Sequence, residues 1–239
     1  RGAELLELAF VKSPLVGCPG LAYWPRLVLL GSDRLLLLEK RHQQLEELRW
    51  AELQLPAAYL ADNWPVSFLA ASRCGTDLAV AGRRGLCLYN SAARRWRLFG
   101  DQRQEQEVRC CGLAWAGGAV LVASAAAPDR FELLAFPRDH LAASSRLLRQ
   151  RLPVKRRPTA MDCNDRHLVL FAQEGFFFHY GVLEERAPDG ALAALRLQLL
   201  HQVSSTATAS LHSLLLLPPA PAGLAPAASA QCLLLDGAG

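Results

Sequence analysis

The chain alternates short apolar runs with brief polar or glycine-bearing breaks, a spacing that predicts strands rather than long helices. Its clearest unit runs from Asp62 to Glu107. Val66–Ser72 is apolar and extended, and Cys74-Gly75-Thr76-Asp77 has turn chemistry. Leu78–Ala81 and Leu86–Tyr89 are joined by Gly82-Arg83-Arg84-Gly85, which suits a hairpin loop in which Gly85 takes a positive φ. Arg94–Phe99 then alternates, with Arg95 and Arg97 on one side and Trp96 and Leu98 on the other. Four short strands with tight turns make the antiparallel unit of a β-propeller blade.

The flanking sequence repeats the pattern. Arg26–Leu30 and Arg34–Glu39 form a hairpin about Gly31-Ser32-Asp33, and Lys40–Glu52 carries a third strand or a surface helix towards Trp50. Pro56–Leu60 leads into the central blade. Gly112–Trp115, Ala119–Ala123 and Phe131–Phe136 are strands, and Arg166–Ala172 and Phe176–Val182 pair over Gln173-Glu174-Gly175. Arg196–Val203, Leu211–Leu217 and Gln231–Leu235 are the last strands. The leucine spacing and the acid near its start predict a helix over Asp139–Leu152. Arg1–Phe10 suits either a helical turn or a strand, and the Pro/Ala/Gly-rich Pro218–Ser229 predicts a mobile loop.

An internal repeat sets the architecture. Asp33 and Asp77 lie 44 residues apart, Asp165 lies 88 beyond Asp77, and Gly117-Gly118 holds the intermediate position. The stretch 78–89 parallels 168–180. A period of about 40–45 with several strands per repeat is a propeller signature, and a closed ring takes about four to eight blades. The fold expected over residues 1–239 is therefore all-β, a divergent WD-type β-propeller, incomplete, of about four to five blades. Its basic inter-blade loop would span 146–158 and its Pro/Ala-rich loop 218–229.

Composition refines this picture. The 239 residues are 51% hydrophobic and 20% charged, as in a globular protein. There is no isoleucine, and three of the 26 basic residues are lysine, leaving 23 arginines. Leu-rich strands imitate helices on propensity scales, so strand length and turn spacing carry more weight here. A net charge of +4, scattered along the chain, argues against nucleic acid as a partner. Seven cysteines, several within apolar runs, read as buried free thiols of a cytoplasmic protein. No apolar run approaches the about 18 residues of a membrane span. The start at Arg1 and the Asp-Gly-Ala-Gly end read as those of a fragment.

No catalytic, cofactor or metal constellation stands out. A zinc site could draw on Cys163, His167 and His179 but lacks paired Cys-x-x-Cys ligands. Cys110 and Cys111 read as strand neighbours on opposite faces. Trp64, Trp96, Phe99 and Trp115 read as blade core in preference to a ligand cage. Within Phe176-Phe177-Phe178 alternation sends at least one ring to the opposite face, where it can pack between blades. The one concentrated charge feature is Arg146, Arg149, Arg151, Lys155, Arg156 and Arg157, six cations in twelve residues. It is either a solvated loop or a contact for anionic lipid or an acidic partner.

The stretches NWPVSF, GTDLAVAGRRG and RRWRLFG, the QEQE that follows and Gly112-Leu113-Ala114-Trp115 resemble the propeller of the RIC-one family. That family supplies the large subunits of the RIC–RGP complex, an exchange factor for the Golgi GTPase Rab-six. The resemblance implies a non-enzymatic docking propeller without cofactors, with an RGP-type subunit and a Rab GTPase as partners. It also implies a cytoplasmic protein, peripheral on the Golgi membrane, acting in endosome-to-Golgi retrograde transport. The rival readings are a peptide-binding or coat-type trafficking propeller without exchange activity, and a propeller hydrolase, for which no acid or histidine cluster is visible.

Overall fold

The computed structural model describes residues 16–17, 28–40, 48–204, 211–216 and 232–236, and within them antiparallel sheets follow one another in chain order. The first holds β1 (Val16–Gly17), β2 (Val28–Leu30), β3 (Arg34–Lys40) and β4 (Leu48–Gln54). The second holds β5 (Phe68–Ala71), β6 (Asp77–Ala81), β7 (Cys87–Asn90) and β8 (Arg95–Arg97). The third holds β9 (Cys110–Ala116), β10 (Ala119–Ala127), β11 (Arg130–Pro137) and β12 (Leu148–Arg151). The fourth holds β13 (Pro158–Cys163), β14 (His167–Ala172), β15 (Phe176–Arg186) and β16 (Leu192–Ser204). A fifth pair, β17 (Leu211–Leu216) with β18 (Cys232–Asp236), follows. Each four-stranded sheet is a meander, the blade of a propeller. Helices α1 (Ala57–Asn63) and α2 (Gln102–Glu107) lie in the links that open the second and third blades.

The core sits between blades. Alternation along β6 sends Leu78 and Val80 towards the first blade, where they join Val28, Leu35 and Leu37. It sends Ala79 and Ala81 the other way, against Leu113, Trp115 and Val120 of the third blade. Along β10, Val120 and Val122 face the second blade, while Leu121 and Ala123 meet Leu168, Leu170 and Phe178 of the fourth. Beyond that, Val169 and Phe171 pack on Leu214 and Leu216 of β17. A strand covered on both faces must be apolar at every position, which is why the inner strands read as unbroken hydrophobic runs. Cys110 and Cys111 occupy opposite faces as alternation requires, and Phe177 departs from Phe176 and Phe178 to pack against Phe171.

Three expectations about the course of the backbone change. No helix spans Asp139–Leu152: a single 3-10 turn covers Ala143–Ser145, and Leu148–Arg151 is the outer strand β12 paired with β11. Its leucines serve different cores, Leu141 between blades two and three and Leu152 between three and four, so they share no helix face. The basic segment 146–158 is consequently not one loop but an edge strand followed by an inter-blade link. Asp33 is not the counterpart of Asp77, since it lies between the second and third strands of its sheet. The matching landmarks are the positive-φ residues Gly75, Gly117 and Asp165, one in each first hairpin of blades two to four. Gly85 and Gly175, both at positive φ, likewise mark the second hairpins of blades two and four.

Of the four aromatics read as core, Phe99 and Trp115 are buried, Trp96 is half-buried against Tyr89 on the outer strand, and Trp64 is exposed. Trp64 follows α1 in extended backbone outside any strand, so no alternation turns it inward. Arg1–Phe10 and Pro218–Ser229 lie outside the described residues. No helix is long and apolar enough to cross a membrane among the described residues.

Candidate anion-binding face

The strand directions place the second hairpins and the inter-blade links on one face of the blades, and the first and third hairpins on the other. On the link face, α1 and α2 hold the second hairpin of blade two. The Tyr59 hydroxyl accepts from the Gly82 N–H at 2.9 Å and faces the Arg84 carbonyl at 3.1 Å. Asp101 caps α2 by accepting from the Arg103 N–H, and Glu105, buried, lies against Gly85. Burial pushes the Glu105 carboxyl up, and the Asn63 amide that donates to it pulls the other way.

This scaffold leaves a cleft of about 580 Å³ between blades two and three. Arg84 enters from the second hairpin of blade two, Arg103 and Arg109 from the link, and Arg130 from the second hairpin of blade three. Arg146 and Arg149 close it from the outer strand and its approach. Glu107 and Glu132 are the acidic residues in the lining. Arg149 grips Glu132 through two bonds of 2.9 and 3.2 Å, and that pair holds its guanidinium above the ordinary arginine pKa. The Arg146 guanidinium lies 5.6 Å from the centre of the Phe136 ring, and its Nε is buried without a hydrogen-bond partner among the described residues. Arg84, Arg103, Arg109 and Arg130 have no carboxylate partner among the described residues.

The six cations picked out in the sequence thus divide. Arg146 and Arg149 belong to the cleft, whereas Arg151, Lys155, Arg156 and Arg157 are exposed along the rim and the next link. Arg156 pairs with Glu174 of the second hairpin of blade four at 2.6 Å, and the Arg157 carbonyl accepts from the Gln173 N–H at 2.9 Å. Sequence reasoning missed Arg84, Arg103, Arg109 and Arg130 because three separate segments supply them. The signal available was the register: second hairpins and links of consecutive blades share one face.

The opposite face is built differently. There a cleft of about 760 Å³ holds Arg73, Arg138 and Arg186, and each has an acid: Asp165 at 3.3 Å, Asp77 at 3.4 Å and Glu184 at 2.6 Å. Asp165 also accepts from the Gly117 N–H at 2.9 Å, and Arg138 donates to the Gly117 carbonyl at 3.2 Å. These bonds tie the first hairpins of three blades together. They are braces whose charges are already matched. On blade four, His179 Nε2 meets His167 Nδ1 at 2.9 Å and His201 stacks on His179, but Cys163 does not complete a ligand set with them. No three potential metal ligands converge among the described residues.

The family model of the RIC1 second beta propeller domain matches residues 31–238. The guanine nucleotide exchange factor subunit R06F6.8 of Caenorhabditis elegans is 28% identical over 141 residues, covering 56% of this chain and 10% of that protein. The guanine nucleotide exchange factor subunit RIC1 of Homo sapiens is 28% identical over 167 residues, 55% of this chain and 12% of that protein. The chain therefore spans about a tenth of the length of these curated relatives. The crystal structure of Chaetomium thermophilum Raptor superposes with a TM-score of 0.52 at 11% identity, over 79% of this chain and 16% of that one, a likeness of fold alone. The chain belongs to the RIC1 second beta propeller domain family.

Proposed function

We propose that this chain is the docking propeller of a Rab guanine-nucleotide exchange factor subunit acting in endosome-to-Golgi retrograde transport. Its partners in this reading are an RGP-type subunit and a Rab GTPase. The observation that carries the reading is the match of residues 31–238 to a domain of exchange-factor subunits, on a scaffold that presents loops from rigid blades. In the same reading the exposed rim of Arg151, Lys155, Arg156 and Arg157 contacts the anionic Golgi surface, where each cation near lipid contributes about 1 kcal/mol. The protein is then cytoplasmic and peripheral on that membrane.

Co-purification from cells that express the full-length subunit tests the docking role. The RGP-type subunit is expected to copurify with it and to be lost when surface residues of this propeller are reversed in charge. Retention by every such variant, or by a subunit lacking the propeller, leaves the rival reading of a trafficking propeller without an exchange role.

A further inference from the structure

We infer that the cleft between blades two and three is a binding site for a compact polyphosphate, several phosphate groups on one small scaffold. The inference goes beyond the docking role and does not depend on it. Six arginines line about 580 Å³ against two glutamates, and one of those glutamates is already held by Arg149. Guanidinium groups do not lose their protons near neutral pH, so crowding them cannot be relieved by titration. Glu107 can offset at most one of Arg84, Arg103, Arg109 and Arg130, none of which has a carboxylate at ion-pair distance among the described residues, and a counter-anion is needed to neutralise the rest.

The contrast with the other face is informative. Arg73, Arg138 and Arg186 line a larger cleft, and each is matched by an aspartate or glutamate of the same face. The protein thus matches every arginine of the brace face with its own acid, whereas in the link-face cleft Arg149 alone is matched, by Glu132. The walls are also fixed. Tyr59 bonds the loop that carries Arg84, the Asp101 cap sets the helix that carries Arg103, and the Arg109 N–H is held by the Ser124 hydroxyl at 3.1 Å. Arg146 adds a buried Nε that no group among the described residues uses.

Planar guanidinium forks converging from several sides suit the tetrahedral oxygens of clustered phosphates, each of which accepts two parallel bonds. A flat membrane carrying single charges reaches a concave site poorly, and a glutamate-rich peptide offers one planar anion per residue. Clustered phosphates on a ring the size of inositol present many acceptors within the cleft. Two sources share that chemistry: a soluble inositol polyphosphate and the headgroup of a phosphoinositide.

Calorimetric titration of the full-length subunit with inositol hexakisphosphate is the test, with vesicles of phosphatidylcholine holding phosphatidylinositol bisphosphate, or phosphatidylserine at equal charge, as the second arm. We expect binding that weakens about tenfold or more for Arg84→Gln combined with Arg130→Gln, and for Arg109→Gln alone. These side chains are exposed, and an unchanged unfolding midpoint certifies the fold of each variant. Arg73→Gln on the opposite face is expected to leave binding intact. Competition between the soluble ligand and bisphosphate vesicles assigns the site to the headgroup; binding of the soluble ligand alone assigns it to the free polyphosphate. Lack of binding in both arms, equal affinity for polyglutamate, or binding that ignores the arginine variants overturns the inference.

Discussion

The side-chain amide of Asn63, at the end of α1, donates to Glu105 of α2, so the links that open blades two and three are joined through two buried polar groups 42 residues apart. Gly85 fits beneath this pair. Its φ of +62° lies in the left-handed region, and a Cβ there would overlap the Glu105 side chain.

Gly85→Ala is accordingly expected to destabilise the protein by about 2–3 kcal/mol, from backbone strain plus displacement of Glu105. Gly190→Ala is the control: its φ is +82°, but nothing among the described residues lies within 4 Å of the added Cβ. Only the strain of about 1 kcal/mol should remain. Chemical denaturation midpoints for the two variants give the comparison, and equal losses would contradict the packing argument.

Tyr180→Phe is expected to be neutral or to stabilise by about 1 kcal/mol. The ring is 1% exposed, and its hydroxyl has no hydrogen-bond partner among the described residues. Burial pushes its pKa up to about 12. A buried hydroxyl without a partner carries a desolvation penalty that Phe avoids. A loss above about 1 kcal/mol in thermal or denaturant unfolding would mean that the hydroxyl is bonded.

Asp162 predicts a pH dependence. The Leu216 and Cys163 N–H groups donate to it at 2.8 and 2.9 Å, the first tying β17 to β13. Burial outweighs these donors and pushes its carboxyl from 3.8 up to about 6. Between those values the unfolded chain releases a proton that the folded chain keeps. The unfolded state therefore binds fewer protons, and stability falls as the pH rises from about 4 to about 6. The contribution lost is on the order of 2–3 kcal/mol. Unfolding measured across that window should show a fall that Asp162→Asn flattens.

Trp115 and Trp96 should separate under substitution. Trp115 is 4% exposed and donates its indole N–H to the Ala70 carbonyl at 3.1 Å, joining blades two and three, so Trp115→Ala should cost about 3–5 kcal/mol. Trp96 is half-buried on an outer strand with Tyr89 as its neighbour at 5.0 Å, and Trp96→Ala should cost about 1–2 kcal/mol less than that. Denaturant unfolding of the pair gives the order.

The blade pattern was legible because inner strands covered on both faces must be apolar, and because Gly82-Arg83-Arg84-Gly85 and Gln173-Glu174-Gly175 end in glycines that take positive φ. The short helices α1 and α2 were not read: seven and six residues are too few to establish a helical period, and their boundaries come from capping and from packing on neighbouring hairpins. Leu141, Leu148 and Leu152 imitated a helix face because leucine carries little strand preference, and pairing with β11 decided the outcome. Two of the six cations of the basic segment line a cleft, but the arginines that complete it come from blade two, from the link and from another hairpin of blade three, and their juxtaposition follows from the blade topology.

The docking account is tested most directly by release of a fluorescent nucleotide from the Rab GTPase, measured with this 239-residue chain alone and with the assembled two-subunit complex. Exchange requires a surface that binds the nucleotide-free GTPase more tightly than the loaded one. The account assigns that surface to the complex and a platform role to this propeller. It predicts acceleration by the complex and none by the isolated chain at any concentration. A concentration-dependent acceleration by the chain alone would contradict it and locate an exchange surface on the propeller.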